Sequence, residues 1–258
     1  MLYAAQVWGY VRYDCVEKLL RFYVKKLHYL PANTPNYMIN LETSIDPMFF
    51  STLKLHFTYL NRVLSLNCDR LPRILANEVI KLNISWAKEW QLLCQSINFS
   101  PPNNSLPLCH YWKEILDTLK RNDFQNFQNQ ASNSQFHDLY SKLDHNVAPL
   151  LTDLSPRASS LIIRARGGLL EINAKCFKAN TDGYCTICNT KEPENTLHFI
   201  GICPVYKNYR KNYFGKQFLG LSEVINILNG KYSFKKVYNF IESSLKLRNL
   251  IVNEFDPQ

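Results

Sequence analysis

The segment CTICNTKEPENTLHFIGIC, Cys185–Cys203, decides the fold that we predict for the second half of the chain. Its three cysteines and one histidine follow the spacing Cys-x2-Cys-x9-His-x4-Cys. Two cysteines separated by two residues place both sulfurs on one side of a tight turn, and the histidine and last cysteine supply two further ligands. The pattern therefore predicts one metal site, with the ligands Cys185, Cys188, His198 and Cys203.

The ligand types indicate which metal this site binds and what the metal does. Three thiolates and one imidazole form a soft set that selects zinc over magnesium or calcium. Four protein ligands leave no position for water or substrate, so we expect one structural Zn²⁺. A zinc deaminase would need a glutamate two residues after the histidine, where this chain has Ile200. The alternative is a set of ordinary buried cysteines, and Cys176 is a spare candidate ligand.

Apolar residues at helical spacing predict three helices in the first hundred residues, at 15–30, about 48–66 and 72–97. Ser44 or Asp46 can cap the second of these helices. The segment PANTPNYMI, at 31–39, has two prolines within five residues, which predicts a turn or an extended link. These patterns indicate a helical packing unit at the start of the chain.

Turn-forming and polar residues divide the rest of the chain. NFSPPNNSLP, at 98–107, predicts a linker. A short helix at about 111–121 precedes a tract rich in Gln and Asn, for which we expect a surface loop. A further helix is predicted from about Pro156 to Arg166, capped by Ser155 and ended by two glycines. Strand signals are sparse, so the fold class is mainly α. The predicted order is a helical unit at 1–98, a linker and variable helical region at 99–155, a CCHC zinc module with its leading helix at 156–214, and C-terminal helices at 215–258.

The net charge of +9 is concentrated at the two ends of the chain. Residues 1–98 contain 11 Lys and Arg against 7 Asp and Glu, and residues 204–258 contain 9 against 4. Such an excess suits a surface that binds RNA or DNA, although a solvated basic face is the alternative. The candidate nucleic-acid contacts lie on the helix before the cluster and on its basic flank: Arg157, Arg164, Arg166, Lys207, Arg210, Lys211, Tyr213 and Lys216.

The chain has no run of 18 apolar residues and no basic leader followed by an apolar stretch. Most of its eight cysteines are scattered outside the cluster, which is typical of reduced thiols rather than a secreted disulfide framework. We therefore expect an intracellular protein, nuclear or cytoplasmic and not secreted, with no membrane partner and no small-molecule substrate.

The cluster and its flank resemble the tail of reverse transcriptases from non-LTR (LINE-type) retrotransposons, especially jockey-like elements. The chain departs from the family pattern at Asn195, where the family usually has glutamate. LYAAQVWGY and the segment that follows it, at residues 2–66, resemble the part of the same proteins after the polymerase palm. The matching residues of the tail are Cys185, Cys188, Thr196, His198, Cys203, Pro204, Tyr206 and Arg210.

This resemblance covers roughly half of the chain and implies thumb and connector helices followed by a zinc-binding tail that grips nucleic acid. The palm of these enzymes lies upstream of both segments, and the chain contains no adjacent pair of Asp residues. Because DNA synthesis needs such carboxylates to hold two metal ions, we expect no polymerase activity from this chain alone. A separate polymerase chain is one candidate partner. The alternative function is a structural or protein-interaction remnant of a truncated element.

Overall fold

A computed structural model describes residues 3–101, 107–134, 139–146, 151, 153–173 and 183–255. The described residues are mainly helical, as predicted, and their only β-pairing is an isolated bridge between Tyr184 and Pro193. Their α-helices are α1 Ala5–Trp8, α2 Asp14–Leu27, α3 Asn36–Thr43, α4 Met48–Leu64, α5 Leu71–Leu82, α6 Trp86–Ser96, α7 Trp112–Ser132, α8 Pro156–Arg166, α9 Lys207–Phe214, α10 Leu221–Leu228 and α11 Phe234–Phe255. Single helical turns lie at Leu108–Tyr111, Tyr140–Lys142, His198–Ile202 and Pro204–Tyr206.

The chain divides into two compact units. The first contains Met1–Tyr23 and Ile45–Asn126, and the second contains Val24–Ser44 and Phe127–Gln258. Two of the three boundaries fall inside α2 and α7, and the third lies between α3 and α4. None of the described helices has the length and apolar character needed to cross a membrane.

The first unit is built around α4, whose apolar face contributes six residues to a core shared with α5, α6 and α7. α1 packs against the same helix because Gly9 lets the backbones meet. A Cβ on Gly9 would lie 2.3 Å from the carbonyl oxygen of Thr52, so no larger residue fits. The core residues are Phe49, Phe50, Leu53, Phe57, Leu60, Val63, Ala76, Trp90, Cys94, Cys109, Ile115, Leu116 and Leu119.

The start of α4 is capped by a residue distant in sequence. The buried carboxylate of Glu17 accepts hydrogen bonds from the backbone N–H groups of Met48, at 3.2 Å, and Phe49, at 2.9 Å. It satisfies two otherwise unpaired donors and places negative charge at the positive end of the helix. The predicted caps, Ser44 and Asp46, do not have this role.

Three predicted elements differ from the structure. The helix predicted at 72–97 is two helices, because Asn83 and Ser85 adopt positive φ angles of 49° and 51°. The Gln- and Asn-rich tract is helical as far as Ser132, since glutamine is a good helix former. The segment predicted as a link contains the first half of α3, because Pro35 lies just before the first helical residue and interrupts no helical hydrogen bond.

In the second unit, α8 has the predicted bounds. The Ser155 side chain accepts a hydrogen bond from the backbone of Ala158 and caps the helix. The helix ends at Gly167, where a Cβ would lie 2.0 Å from the Cε atom of Met38 in α3. The two helices therefore pack closely at this glycine, and a larger residue would require the Met38 side chain to move.

Candidate metal centre

The first two cysteines of the cluster lie on a short hairpin. Cys185 donates its backbone N–H to the carbonyl of Glu192 at 2.9 Å, and Glu194 donates to Gly183 at 2.7 Å. These bonds flank the bridge between Tyr184 and Pro193. The chain turns back at residues 189 and 190, just after Cys188, and the sulfurs of Cys185 and Cys188 lie within 4.8 Å of each other.

The other two ligands are placed by the single π-helical turn His198–Ile202. The Asn195 side chain accepts a hydrogen bond from the backbone N–H of His198 at 2.8 Å, and Cys203 donates its own N–H to the His198 carbonyl at 2.8 Å. Asn195 thus performs a capping role at the position where the sequence departs from the family pattern.

The structure brings all four predicted ligands together, and all four residues are buried. Their ligand atoms lie within 4.8 Å of one another, and the Cys188 Sγ is 3.3 Å from the His198 Nε2. Bonds of 2.0–2.3 Å to a tetrahedral metal imply ligand separations of about 3.5 to 3.8 Å. The group could therefore hold a metal ion after small side-chain adjustments.

The protonation of these groups is coupled. Hydrogen bonding to Cys203, followed by burial, raises the pKa of the Cys185 thiol to about 12, whereas the same bond lowers the pKa of Cys203. Burial acts to lower the pKa of His198, but hydrogen bonds to Cys185, Glu192 and Cys188 outweigh it and raise that pKa to about 9. A metal ion must displace these protons, so its binding releases them.

Glu192 orients the histidine from the outer side of the cluster. Its Oε2 lies 2.9 Å from the Nδ1 of His198, which leaves the Nε2 facing the cysteine sulfurs. A carboxylate on the second nitrogen fixes the ring orientation and makes the first nitrogen a stronger metal ligand. The arrangement matches a carboxylate, histidine and metal triad.

A buried ion pair attaches the hairpin to α11. The guanidinium of Arg248 donates to both carboxylate oxygens of Glu194, at 2.7 and 2.8 Å, and the Asn173 backbone donates to the same carboxylate at 2.9 Å. The hydrogen bond to Glu194 outweighs burial and raises the pKa of Arg248. The position of the hairpin is therefore specified by paired charges in addition to the four ligands.

Arg210, predicted as a nucleic-acid contact, lies inside the fold. Its side chain is fully buried and donates to the carbonyls of Gln217, at 2.6 Å, and Cys203, at 2.5 Å. Burial lowers its pKa to about 10. Arg210 instead fixes the start of α9 relative to the last metal ligand.

Arg166, another predicted contact, is also buried. Its fully buried guanidinium pairs with the Glu42 carboxylate at 2.7 Å and donates to the carbonyls of Asp144 and Leu228. Of the other arginines predicted on α8, Arg164 is mostly buried and bonds Glu171, whereas Arg157 is 76% exposed and lies 3.2 Å from a glutamate oxygen. Only Arg157 retains a largely accessible cation.

The remaining four candidates lie on α9 or just after it. Lys207 and Lys211 are exposed, and neither has an ion-pair partner among the described residues. Lys216 is exposed and bonds Glu223 at 2.5 Å. Tyr213 is half-buried, with its hydroxyl 3.4 Å from Ser243. The lysines of the basic flank are therefore accessible to solvent.

Sequence reasoning missed Glu192, Glu194, Arg248 and Glu42. A carboxylate six residues before a ligand histidine was the one available local signal, and it points to Glu192. The partners of the two buried ion pairs are separated by 54 and 124 residues, so no local pattern connects them. Cys176, the spare candidate ligand, lies outside the described residues.

Comparison with known proteins found no relative of the chain: no protein-family model, curated protein or solved structure matches it.

Proposed function

We propose that the metal is zinc and that its role is structural. The chemistry of three thiolates and one imidazole supports zinc, and the four buried protein ligands support a closed site. Metal analysis of protein purified without added metal is expected to give about one zinc per chain. A protein that is folded throughout 183–214 but contains no zinc would refute this assignment.

We propose further that the C-terminal part of the chain binds RNA or DNA. The observation that supports this most directly is the outward face of α9, where Lys207, Asn208, Lys211 and Asn212 are all exposed and the helix contains no acidic residue. Lysines four residues apart project from the same side of a helix and can contact neighbouring phosphates, and the amides can donate hydrogen bonds.

The metal cluster supports this function by fixing where α9 begins. Cys203 is a candidate ligand, and its carbonyl accepts a hydrogen bond from Arg210 inside the helix. Phe199 and Tyr206 pack edge to face at 4.9 Å beneath the same segment. Because both ends of this short link are held, the lysines of α9 are presented by a rigid support.

The same chemistry is consistent with the resemblance to non-LTR reverse transcriptases, and we propose that the chain corresponds to the C-terminal part of such an enzyme. The order of the two similar segments and the spacing of the cluster support this assignment. We expect that this chain alone does not incorporate nucleotides. We expect it to act beside a polymerase palm, and binding to such a partner can be tested.

The experiment is a fluorescence anisotropy titration of zinc-loaded protein with single-stranded RNA and DNA at about 50 mM and about 200 mM salt. Affinity is expected to fall steeply over this range, because each neutralised phosphate releases counterions. Lys207→Gln/Lys211→Gln should weaken binding more than Lys54→Gln/Lys113→Gln, which removes equal charge elsewhere. Zinc-loaded, folded protein that shows no binding at the lower salt would overturn the proposal.

A second candidate function is protein interaction by the first unit. Four apolar residues of α5 are exposed although the helix is amphipathic: Leu71, Ile74, Leu75 and Leu82. Exposed apolar side chains at this density are typical of surfaces that contact another protein. This function would account for a folded, zinc-containing protein that does not bind nucleic acid.

A further inference from the structure

Four lysines from three different segments meet at the surface around Tyr232. They are Lys216 after α9, Lys231 after α10, and Lys235 and Lys236 in the first turn of α11, and all four are exposed. We name them the lysine cluster. Of these four, only Lys216 was predicted from the sequence as a nucleic-acid contact. The other three lie in a segment that contains no recognisable motif.

Contacts of Tyr232 join the segments that contain these lysines. The Nζ of Lys236 lies 5.3 Å from the centre of the Tyr232 ring, which packs at 5.3 Å against Phe214 at the end of α9. The Tyr232 hydroxyl donates to the Phe214 carbonyl at 3.4 Å. Tyr232 therefore joins the segment that contains Lys216 to the segment that contains the other three lysines.

The backbone holds two of these lysines in fixed positions. α9 and α10 each end at a glycine with positive φ, +79° at Gly215 and +87° at Gly230, and a lysine follows each glycine. After α10, Gly230 donates to Ile227 at 3.1 Å and Lys231 donates to Asn226 at 2.9 Å. These are the two bonds of a Schellman motif, which is a rigid way to end a helix.

The charge of the cluster is far from balanced. Glu223 is the acidic group that contacts it within the described part of the chain, through a hydrogen bond from Lys216 at 2.5 Å. Glu242, further along α11, already contacts Tyr238, Arg157 and Lys246. The hydrogen bond from Lys216 lowers the pKa of Glu223, and Lys231 also acts electrostatically on Glu223 and lowers its pKa. Lys235 and Lys236 are therefore the two lysines of the cluster without an acidic partner among the described residues.

The two lysines on α11 lie where positive charge is unfavourable for the helix, and among the described residues the one contact that offsets this is the position of Lys236 over the Tyr232 ring. The first turn of this helix has no acidic residue, and positive charge there opposes the helix dipole. Ser233 caps the helix, since its side chain accepts a hydrogen bond from the backbone N–H of Lys236 at 3.4 Å. This cap does not use the side chain of either lysine. Charges that the fold disfavours are expected where an external anion is bound.

We propose that the lysine cluster contacts the phosphate backbone of a single-stranded nucleic acid, as a second contact surface beside the exposed face of α9. The inference rests on the proposed nucleic-acid function and adds the place where several phosphates are held. Lysine binds phosphate as a mobile point charge, so the contact follows the backbone and does not select a base sequence.

The test compares two double variants of the full chain, loaded with zinc, by RNA anisotropy and thermal unfolding. Lys235→Gln/Lys236→Gln removes two charges from the cluster, and Lys81→Gln/Lys88→Gln removes two exposed charges from the first unit. If both cluster lysines contact phosphates, affinity for single-stranded RNA falls roughly 20-fold at about 0.1 M salt, and the salt slope decreases by about 1.4. The control variant should bind as the wild type does.

Thermal unfolding separates this effect from damage to the fold. Because Lys235 and Lys236 oppose the helix dipole, their removal should leave Tm unchanged or raise it while binding is lost. Equal weakening by both double variants would overturn the inference, because net charge alone would then explain the binding.

The outcomes also separate this inference from the function on which it rests. If the wild type binds RNA and Lys235→Gln/Lys236→Gln binds equally well, the lysine cluster is overturned and the proposed function stands. If the wild type binds no RNA or DNA at about 50 mM salt, both are overturned. Binding to vesicles containing phosphatidylserine, without binding to nucleic acid, would overturn both in favour of a membrane surface.

Discussion

Two regions of the molecule have buried interiors of different kinds: the hairpin and turn at 183–214, and the core of the first unit. In the first unit, aromatic rings pack in series, with Trp90 at 5.1 Å from Phe57 and 4.5 Å from Trp86. In the hairpin and turn, which we call the metal module, the buried interior contains four candidate ligands and the Glu194–Arg248 ion pair.

This difference indicates what each region needs in order to fold. Apolar burial requires only that the chain collapse in the right pattern, and it contributes roughly 25 cal/mol per Å². The metal module also buries aromatic rings, those of Phe199 and Tyr206, but it adds thiols and charges, which are costly to bury unless a partner satisfies them. We therefore expect the metal module to depend on its metal, and the first unit to fold without it.

The largest expected effect comes from removing one ligand. Cys188→Ala should abolish zinc binding and unfold 183–214, because structural zinc sites contribute about 10 to 16 kcal/mol. Zinc content and limited proteolysis measure the two consequences. Cleavage is expected inside the metal module, while fragments from the first unit stay resistant.

Cys94→Ala is the matched control, since Cys94 is equally buried but lies in the first unit, away from the four ligands. Its expected cost is about 1 kcal/mol with zinc retained. A Cys188→Ala protein with one zinc and unchanged protease resistance would contradict the distinction between the two regions.

The buried pair between Arg166 and Glu42 gives the next effect. Arg166→Met leaves the Glu42 carboxylate buried without its partner, which should destabilise the second unit by about 3 to 5 kcal/mol. Urea unfolding measures this loss. The double variant Glu42→Leu/Arg166→Met removes both charges and should recover most of it.

Arg157→Met serves as the control, because that surface ion pair is worth at most about 1 kcal/mol. If Arg166→Met were no more destabilising than Arg157→Met, the buried pair would have no structural role.

Acid should weaken the first unit through His56. Burial lowers the pKa of this histidine to about 4, although a hydrogen bond to the Gln6 carbonyl opposes the shift. Its folded pKa lies below the ordinary value of 6.5, so the neutral form stabilises the fold and this stability is lost as pH falls from about 6.5 to 4. The loss amounts to about 3 kcal/mol.

Thermal unfolding across that pH window measures the effect, and His56→Gln, which does not titrate, is the comparison. The wild type should lose more stability on acidification than the variant. Parallel pH profiles would contradict the role of His56.

The smallest expected effect concerns Glu192, which orients a ligand without binding the metal. Glu192→Ala should weaken zinc affinity about 10-fold to 100-fold while the module stays folded at saturating zinc. Competition with a chromogenic chelator measures the affinity. Glu171→Ala, which removes an exposed carboxylate bonded to Arg164, should leave it unchanged.

The contrast between the two regions also explains what the sequence predicts. Metal ligands are predictable because their spacing is local, and the bounds of α8 are predictable because Ser155, Pro156 and Gly167 act on adjacent backbone. The break at Asn83 and the helix after Pro35 were missed, because one asparagine within a continuous apolar pattern is a weak stop signal and a proline can precede a helix as well as end one.

Charge alone was a poor guide to exposure. Arg166 and Arg210 have the residue type expected of phosphate contacts, yet both are buried by partners that the local sequence does not reveal. Arg166 donates to a carboxylate 124 residues away in the sequence. Arg210 donates to backbone carbonyls that come near it only in the folded chain. The lysine cluster was missed because its lysines come from three segments that only the fold brings together.

Hydrogen exchange with and without a zinc chelator tests the central claim most directly. Removal of zinc is expected to abolish protection of amides at 183–214, to leave protection in α4 unchanged, and to be reversed by one equivalent of zinc. Full protection of 183–214 in the chelated protein would contradict the claim that a metal ion holds this part of the chain together.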